Sequence, residues 1–264
     1  MHLEVVGCNA TAAAVAGSAA VICAGDSAVI KNARVGSRIA LVDLIGFWGT
    51  LGELRVVGPH MNDTTEGIRV PVQPALPNSL LAGPFSEPLW PQDTMTLTLF
   101  GTAAGGEIDV AGLVVWYEDL PGISARLLMP EDVQRRGVHA VPVLNAALAT
   151  LATGEWGGAE ALNADSDLLK PNTDYALLGA RCSLAVGIIG VRSSDWGNVR
   201  VPIPGNITEP DVGWNYLVNL SRKTGLPCIP ILNSGNRAGI FVDALQDEAG
   251  ANPDCHLNLV ELAP

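Results

Sequence analysis

The sequence predicts an all-β protein that consists of two tandem antiparallel β-sandwiches. Three observations support this fold class: short strand-like runs along the whole chain, frequent turn residues between them, and an apparent internal duplication. The 264 residues include 29 glycines and 18 prolines, a larger share than is usual in globular proteins. A parallel α/β sheet is excluded because it needs long helices between its strands, and segments with helical periodicity are scarce.

The predicted strands are of two kinds. Residues 94–100 alternate polar and apolar side chains, which is typical of a strand with one buried face. The others are continuous apolar or β-branched runs of strand length, with turn residues such as Gly58-Pro59 and Pro121-Gly122 between them. The full set of predicted strands is 38–45, 94–100, 113–117, 183–191, 228–232 and 257–262.

Two short helices are predicted. Residues 130–136 have a proline in the first turn with acidic residues behind it, and this helix ends at Gly137. Residues 215–224 form the second helix, which ends at Gly225. Residues 146–153 fit either a helix or a strand. The glycine-rich segment 101–106 follows an alternating strand without a helix behind it, so we expect a hairpin turn there.

The chain also repeats itself once. Three pairs of similar segments occur in the same order in both halves, and the last pair ends each half. The matched segments are 26–32 with 165–172, 52–56 with 197–201, and 116–121 with 259–264, at separations of 139, 145 and 143 residues. The duplication predicts a first unit at residues 1–129 and a second at 130–264, each long enough for an eight-stranded sandwich.

Residues that would carry catalysis or bind a metal are dispersed. No GxSxG or GxxxxGK[ST] motif occurs, and the histidines have no metal-binding spacing. The carboxylate pairs Glu118-Asp119 and Asp243 with Asp247 are interpreted as solvated strand ends. The four histidines are His2, His60, His139 and His256. The sequence therefore predicts a protein that is not an enzyme, with no catalytic, cofactor-binding or metal-binding residues and no cofactor.

Charge and cysteine content give further expectations. The formal charge of −12 opposes binding to nucleic acid, because affinity for phosphates needs clustered cations. The five cysteines (Cys8, Cys23, Cys182, Cys228 and Cys255) are interpreted as buried free thiols, which favours a reducing compartment. Residues 1–4 are not a basic leader. The apolar run 10–24 is interpreted as buried chain, with a cleaved leader as the alternative.

The small share of charged residues and the six tryptophans both bear on whether the chain contacts other chains. Only 16% of the residues are charged, which fits either a surface buried against neighbours or simply a sequence rich in glycine and alanine. The six tryptophans could form a sugar platform, but we favour cores and subunit interfaces. They are Trp48, Trp90, Trp116, Trp156, Trp196 and Trp214.

The duplication, the strand density, the short helix between the halves and the low charge together resemble the double jelly-roll major capsid proteins. This resemblance implies two tandem eight-stranded jelly-roll sandwiches with few short helices. It also implies a structural virion protein, as in a bacteriophage, that forms pseudo-hexagonal homotrimers and tiles an icosahedral shell. The implied partners are further copies of the chain, other capsid proteins such as a vertex protein, and, in many members, an internal viral membrane. The implied location is the virion, after synthesis in the host cytoplasm.

The sequence also predicts a loop at a proline-rich segment, and it leaves two alternative functions open. The proline-rich residues 71–91 are predicted to be a stiff loop at trimer contacts or at the outer top. The first alternative function is a carbohydrate-binding or receptor-attachment β-sandwich protein. The second is a β-sandwich hydrolase, which requires converging carboxylates or a nucleophile with a base.

Overall fold

The computed structural model of the chain describes residues 1–11, 19–22, 28–47, 52–61, 65, 67–72, 86–101, 108–123, 126–149, 156–162, 169–183, 186–205, 210–245 and 252–264. Every strand pairing among them is antiparallel, which confirms the predicted all-β class. The described strands form four sheets.

The first half contains two sheets that face each other. Sheet I has the order β1-β9-β4-β7, and sheet II has the order β2-β8-β5-β6 with β3 paired to β8. The strands are β1 (His2–Thr11), β2 (Ala19–Ile22), β3 (Ala28–Val29), β4 (Ile39–Phe47), β5 (Gly52–Val57), β6 (Ile68–Val72), β7 (Glu87–Leu89), β8 (Thr94–Gly101) and β9 (Ile108–Tyr117).

The second half again contains two sheets, together with the α-helices. Sheet III has the order β10-β16-β13-β18-β11, and sheet IV has the order β12-β17-β14-β15. The strands are β10 (Leu127–Leu128), β11 (Gly137–Ala147), β12 (Trp156–Ala161), β13 (Asp174–Cys182), β14 (Ile188–Ser193), β15 (Val201–Pro204), β16 (Ile229–Asn233), β17 (Ile240–Leu245) and β18 (Asp254–Leu262). The helices are α1 (Pro130–Arg136), α2 (Pro210–Trp214) and α3 (Tyr216–Thr224), and 3₁₀ turns occupy Ser194–Trp196 and Ser234–Gly239.

The two halves have the same strand order. When the short β3 and β10 are left aside, each half has eight strands. In both halves the first, eighth, third and sixth strands form one sheet, and the second, seventh, fourth and fifth form the other. The three segment pairs matched in the sequence agree with this order in part. The first pair precedes the third strand of each half, and the last pair covers the end of β9 and of β18.

The middle pair is not equivalent. Residues 52–56 lie in β5, the fourth strand of the first half, whereas residues 199–201 lead into β15, the fifth strand of the second. The sequence match therefore pairs the fourth strand of one half with the fifth strand of the other, which is wrong by one strand. A five-residue segment with two or fewer apolar residues around one arginine is too short to distinguish the fourth strand from the fifth.

Most of the predicted elements are confirmed to within a few residues. The helix α1 ends at Arg136, and α3 ends at Thr224. Gly225 follows α3, and its positive φ of 67° suits glycine just after a helix. Residues 183–187 precede β14, so the predicted strand 183–191 began too early. The hairpin at 101–106 is wrong. Strands β8 and β9, which flank it, lie in different sheets and do not pair with each other. Residues 102–106 of the predicted turn lie outside the described residues.

Sheet I is buried on both faces. Along β9, alternate side chains (Ala111, Leu113, Val115 and Tyr117) join the buried cluster between sheets I and II. The side chains between them, among which are Val110, Val114 and Trp116, join a second cluster that continues into the second half of the chain. Double burial explains why β4 and β9 are continuous apolar runs, whereas β8 alternates.

A β-bulge in β4 turns an acidic side chain towards the second half. The register with β9 shifts between Leu41 and Asp43, so Val42 and Asp43 both face away from sheet II. The fully buried Asp43 carboxylate accepts hydrogen bonds from the Leu44 amide (2.8 Å) and from the Tyr216 hydroxyl (2.9 Å). A bulge commonly re-aims a side chain in this way. The result is a buried polar contact between sheet I and α3.

Further contacts hold the two halves together. The Val5 amide of β1 donates to the Arg200 carbonyl (3.0 Å), and the Trp116 indole donates to the Pro227 carbonyl (3.0 Å). Gly187 packs so closely on Val110 that a Cβ there would lie 2.6 Å from a Val110 methyl. The docking surface therefore combines close apolar packing with hydrogen bonds that fix its orientation.

Two sequence interpretations need correction. The proline-rich segment 71–91 is not one loop, because Pro71 lies in β6 and Pro88 in β7. Both are edge strands, where a missing amide is tolerated, and residues 73–85 lie outside the described chain. The cysteines are not all free thiols. Cys182 and Cys255, which lie directly opposite each other in β13 and β18, form a disulfide. The cysteines therefore no longer favour a reducing compartment.

Cys228 is a buried free thiol, as interpreted from the sequence. The side chain of Cys8 and the whole of Cys23 lie outside the described residues.

We predict that Tyr216→Phe destabilises the chain by about 2 kcal/mol, because the buried Asp43 carboxylate loses a hydroxyl donor. Urea unfolding at constant pH measures the change. Tyr175→Phe is a control, because its hydroxyl accepts a hydrogen bond within the second half. Equal stability of Tyr216→Phe and the parent chain would contradict the role of this contact.

Candidate functional site

The structure does not bring the four histidines together. His2 is buried at the start of β1, His60 is half-exposed beside Asp93, His139 is exposed on β11, and His256 is partly buried on β18. Within the described residues, no group of three histidine, cysteine or acidic side chains could hold a metal ion. No helix in this part of the chain is long and apolar enough to span a membrane.

The two carboxylate pairs differ in their surroundings. Glu118 is exposed just after β9 and accepts from the Arg38 amide (2.9 Å), and Asp119 pairs with Arg34 (3.1 Å). These contacts agree with the interpretation of a solvated strand end. For Asp243 that interpretation is wrong, because this side chain is almost fully buried on β17. Asp247 lies outside the described residues.

Asp243 lies between two arginines on sheet IV. Its Oδ2 is 2.9 Å from Arg192 Nε and 3.0 Å from Arg200 Nε. Burial raises the pKa of the Asp243 carboxyl, and the two guanidinium groups oppose that shift. The backbone carbonyl of Arg200 also accepts the hydrogen bond from β1. The ion pairs therefore fix the strand region to which the first half is docked.

A lysine–glutamate–tyrosine arrangement occurs in both halves. Lys31 Nζ is 2.7 Å from the Glu4 carboxylate, and the Lys31 amide donates to the Tyr117 hydroxyl (3.2 Å). In the second half, Lys170 Nζ is 2.7 Å from the Glu261 carboxylate, and its amide donates to the Tyr175 hydroxyl (2.9 Å). The two lysines are matched residues of the duplication.

Both contacts have the same structural effect. Each anchors the segment before the third strand of its half to sheet I or sheet III. They are not identical in topology, because Glu4 is on a first strand and Glu261 is on an eighth strand.

The tryptophans are distributed between the interior and the surface. Trp116 and Trp196 are buried, with indole hydrogen bonds to the carbonyls of Pro227 and Ile231. Trp156 and Trp214 are partly buried under Arg200 and Arg181 respectively. Trp90 is 44% exposed, and Trp48 lies outside the described residues. The predicted core role therefore holds for Trp116 and Trp196.

Trp90 belongs to a surface cluster that the sequence did not reveal. Its ring centroid is 4.8 Å from that of His60. The buried Asp93 carboxylate lies 2.7 Å from His60 Nδ1 and accepts from the Trp90 amide (3.1 Å). One carboxylate thus contacts the His60 ring and the Trp90 backbone. Because His60 is 33 residues from Asp93, neither motif nor spacing indicates this cluster.

A cavity of about 470 Å³ lies between α1 and α3, over the outer face of sheet III. Helix α1, helix α3 and the two strands β13 and β16 contribute its walls. These elements are far apart in sequence, so no local pattern predicts the cavity.

No protein-family model matches the chain, and no curated protein matches it. Among solved structures, the chain is similar to the crystal structure of PBSX exported protein XepA, with a TM-score of 0.27 and 10% sequence identity over 98% of this chain and 86% of that one. So low a TM-score does not indicate a shared fold, and function is inferred below from the chain's own residues.

We predict that His2 makes the folded state sensitive to acid. Burial, to which the nearby Lys31 charge adds a smaller effect, lowers the pKa of His2 from 6.5 to about 3. Below pH 6.5 the unfolded chain binds a proton that the folded chain excludes, so stability falls as the pH falls. Relative to His2→Gln, the parent chain should lose about 2 kcal/mol between pH 7.5 and pH 5.

Urea unfolding at several pH values measures this difference. The exposed His139→Gln variant is the control and should follow the parent chain at each pH. Parallel pH profiles for the parent chain and His2→Gln would show that His2 is not excluded from protonation in the folded state.

Proposed function

We propose that the chain is a structural coat subunit of a virion that assembles with copies of itself. The observation that carries this proposal is the shared strand order of the two halves, joined through a sheet buried on both faces. A duplicated β-unit of fixed internal orientation is a rigid wall element, and rigid walls with variable end loops suit a shell. In this proposal the chain acts in the virion as a non-enzymatic major capsid subunit, without a cofactor.

Each half, in this proposal, is a jelly roll. The order first-eighth-third-sixth in one sheet and second-seventh-fourth-fifth in the other, found in both halves, supports that interpretation. A jelly roll of eight antiparallel strands is a recurrent capsid architecture. The tandem arrangement also supports the resemblance to double jelly-roll capsid proteins that the sequence indicated.

Geometry gives a reason to propose trimers. Two similar but unequal units in one chain, repeated around a three-fold axis, present six similar edges. Such a particle can pack on a hexagonal lattice. The proposed partners are therefore two further copies of the chain, neighbouring trimers, a vertex protein and, where the virion has one, an internal membrane. The net charge of −12 argues against direct contact with the genome.

Solution mass tests the proposal. We expect purified chain to sediment as a species of three times the 27.5 kDa chain mass, or as larger assemblies, at micromolar concentration. Analytical ultracentrifugation over a dilution series measures this. Electron microscopy of the assemblies should show pseudo-hexagonal particles. A 27.5 kDa monomer that persists at high concentration would exclude self-assembly.

A second candidate function, receptor attachment through carbohydrate, is favoured by the cluster of Trp90, His60 and Asp93. An exposed indole with a polar group held beside it is a common platform for the apolar face of a sugar. The buried Asp93 carboxylate holds the His60 ring and the Trp90 backbone, and the two rings pack on each other, so little ordering is needed on binding.

A glycan array with the parent chain and Trp90→Ala tests this candidate. If the cluster binds sugar, the variant should lose at least tenfold in affinity, because stacking contacts of an aromatic ring are lost. The matched control is Val35→Ala, which also removes an exposed apolar side chain. Absence of binding by the parent chain to every glycan excludes the candidate and leaves the coat-subunit proposal untouched.

A further inference from the structure

The cavity between α1 and α3 combines an apolar floor with a polar rim. Val133 of α1, Leu178 of β13, Val218 of α3 and Ile229 of β16 supply apolar side chains. Val133 and Ile229 are buried, and the other two are partly buried. The cavity volume of about 470 Å³ lies within the range of small-molecule sites. The cavity therefore has room for the apolar part of a small molecule, packed against sheet III.

One face of α3 contributes hydrogen-bond donors to the rim of the cavity. Asn215, Asn219 and Arg222 lie three or four residues apart and share this face, and Gln134 of α1 stands opposite. The Asn215 side-chain oxygen accepts from the buried Asn258 amide (3.3 Å). Its amide group is then left as the donor towards the cavity.

Arg222 gives the rim its charge. Its side chain is exposed, and among the described residues it forms no ion pair or hydrogen bond. Among the described residues, no acidic side chain lines the cavity, although the chain has 27 acidic and 15 basic residues. The nearby Asp132 of α1 is already bound to Arg135 and to the Met129 amide. The electrostatic environment of the rim thus favours an anion.

We propose that this cavity binds a small carboxylate with an apolar tail, such as a medium-chain fatty acid. The tail lies on the floor against sheet III, and the carboxylate accepts hydrogen bonds from Arg222 and from the Asn215 amide. A guanidinium fork matches the two oxygens of a carboxylate. This site is independent of the coat-subunit function proposed above.

Isothermal titration calorimetry with three probes tests the site. Octanoate has both charge and tail, 1-octanol has the tail alone, and acetate has the charge alone. We expect octanoate to bind at least tenfold more tightly than either of the others, with amide NMR shifts confined to α1, α3 and their neighbours in sheet III. Equal affinity for octanoate and 1-octanol, or no binding of octanoate, would overturn the proposal.

Variants locate the site. Arg222→Gln should reduce octanoate affinity roughly tenfold or more without changing 1-octanol affinity, and Leu178→Phe should weaken both by filling the floor. Lys223→Gln, which removes the adjacent charge outside the cavity lining, is the matched control and should bind as the parent chain does. Unchanged octanoate affinity in Arg222→Gln would place the carboxylate elsewhere. Sedimentation of the same samples reports self-assembly separately, so either proposal can fail alone.

Discussion

Burial of both faces of sheet I is the constraint on which the rest of the structure depends. A sheet in a two-layer unit normally leaves one face to solvent. Here the outer face of sheet I is apolar as well, because Val110, Val114 and Trp116 point away from sheet II. Exposure of that face would cost roughly 25 cal/mol for each Å² of apolar area. The outer face of sheet I in the first half is therefore covered by the second half.

Apolar packing alone would allow the halves to slide, and buried polar groups fix one arrangement. Asp43 accepts the Tyr216 hydroxyl inside this interface. Burial, together with the negative charge of Asp43, raises the pKa of Tyr216 well above its usual value, so this hydroxyl remains a donor. A displaced docking would leave the carboxylate buried without its donor, a cost comparable to a lost charged hydrogen bond. Such contacts contribute specificity more than net stability.

The sequence allowed the strands and helices to be predicted but not their mutual arrangement. The alternation in β8 and the continuous apolar runs in β4 and β9 follow directly from which side chains are buried. These patterns can therefore be recognised in the sequence itself. Pro130 and Gly225 mark helix ends for equally local reasons. The Cys182–Cys255 pairing, the ion pairs of Asp243 and the cavity over sheet III depend on contacts between residues far apart in sequence. The continuous runs did carry a signal of double burial, because a strand with one solvated face would alternate.

The two halves share a strand order but cover their sheets differently. Sheet I is covered by the second half, whereas sheet III is covered by its own helices α1, α2 and α3. Gly179 of β13 lies so close to α2 that a Cβ there would be 2.1 Å from the Gly213 carbonyl oxygen. A third unit could not dock on sheet III as the second docks on sheet I, because the helices occupy that face. The docking of the second half on sheet I therefore has no counterpart on sheet III.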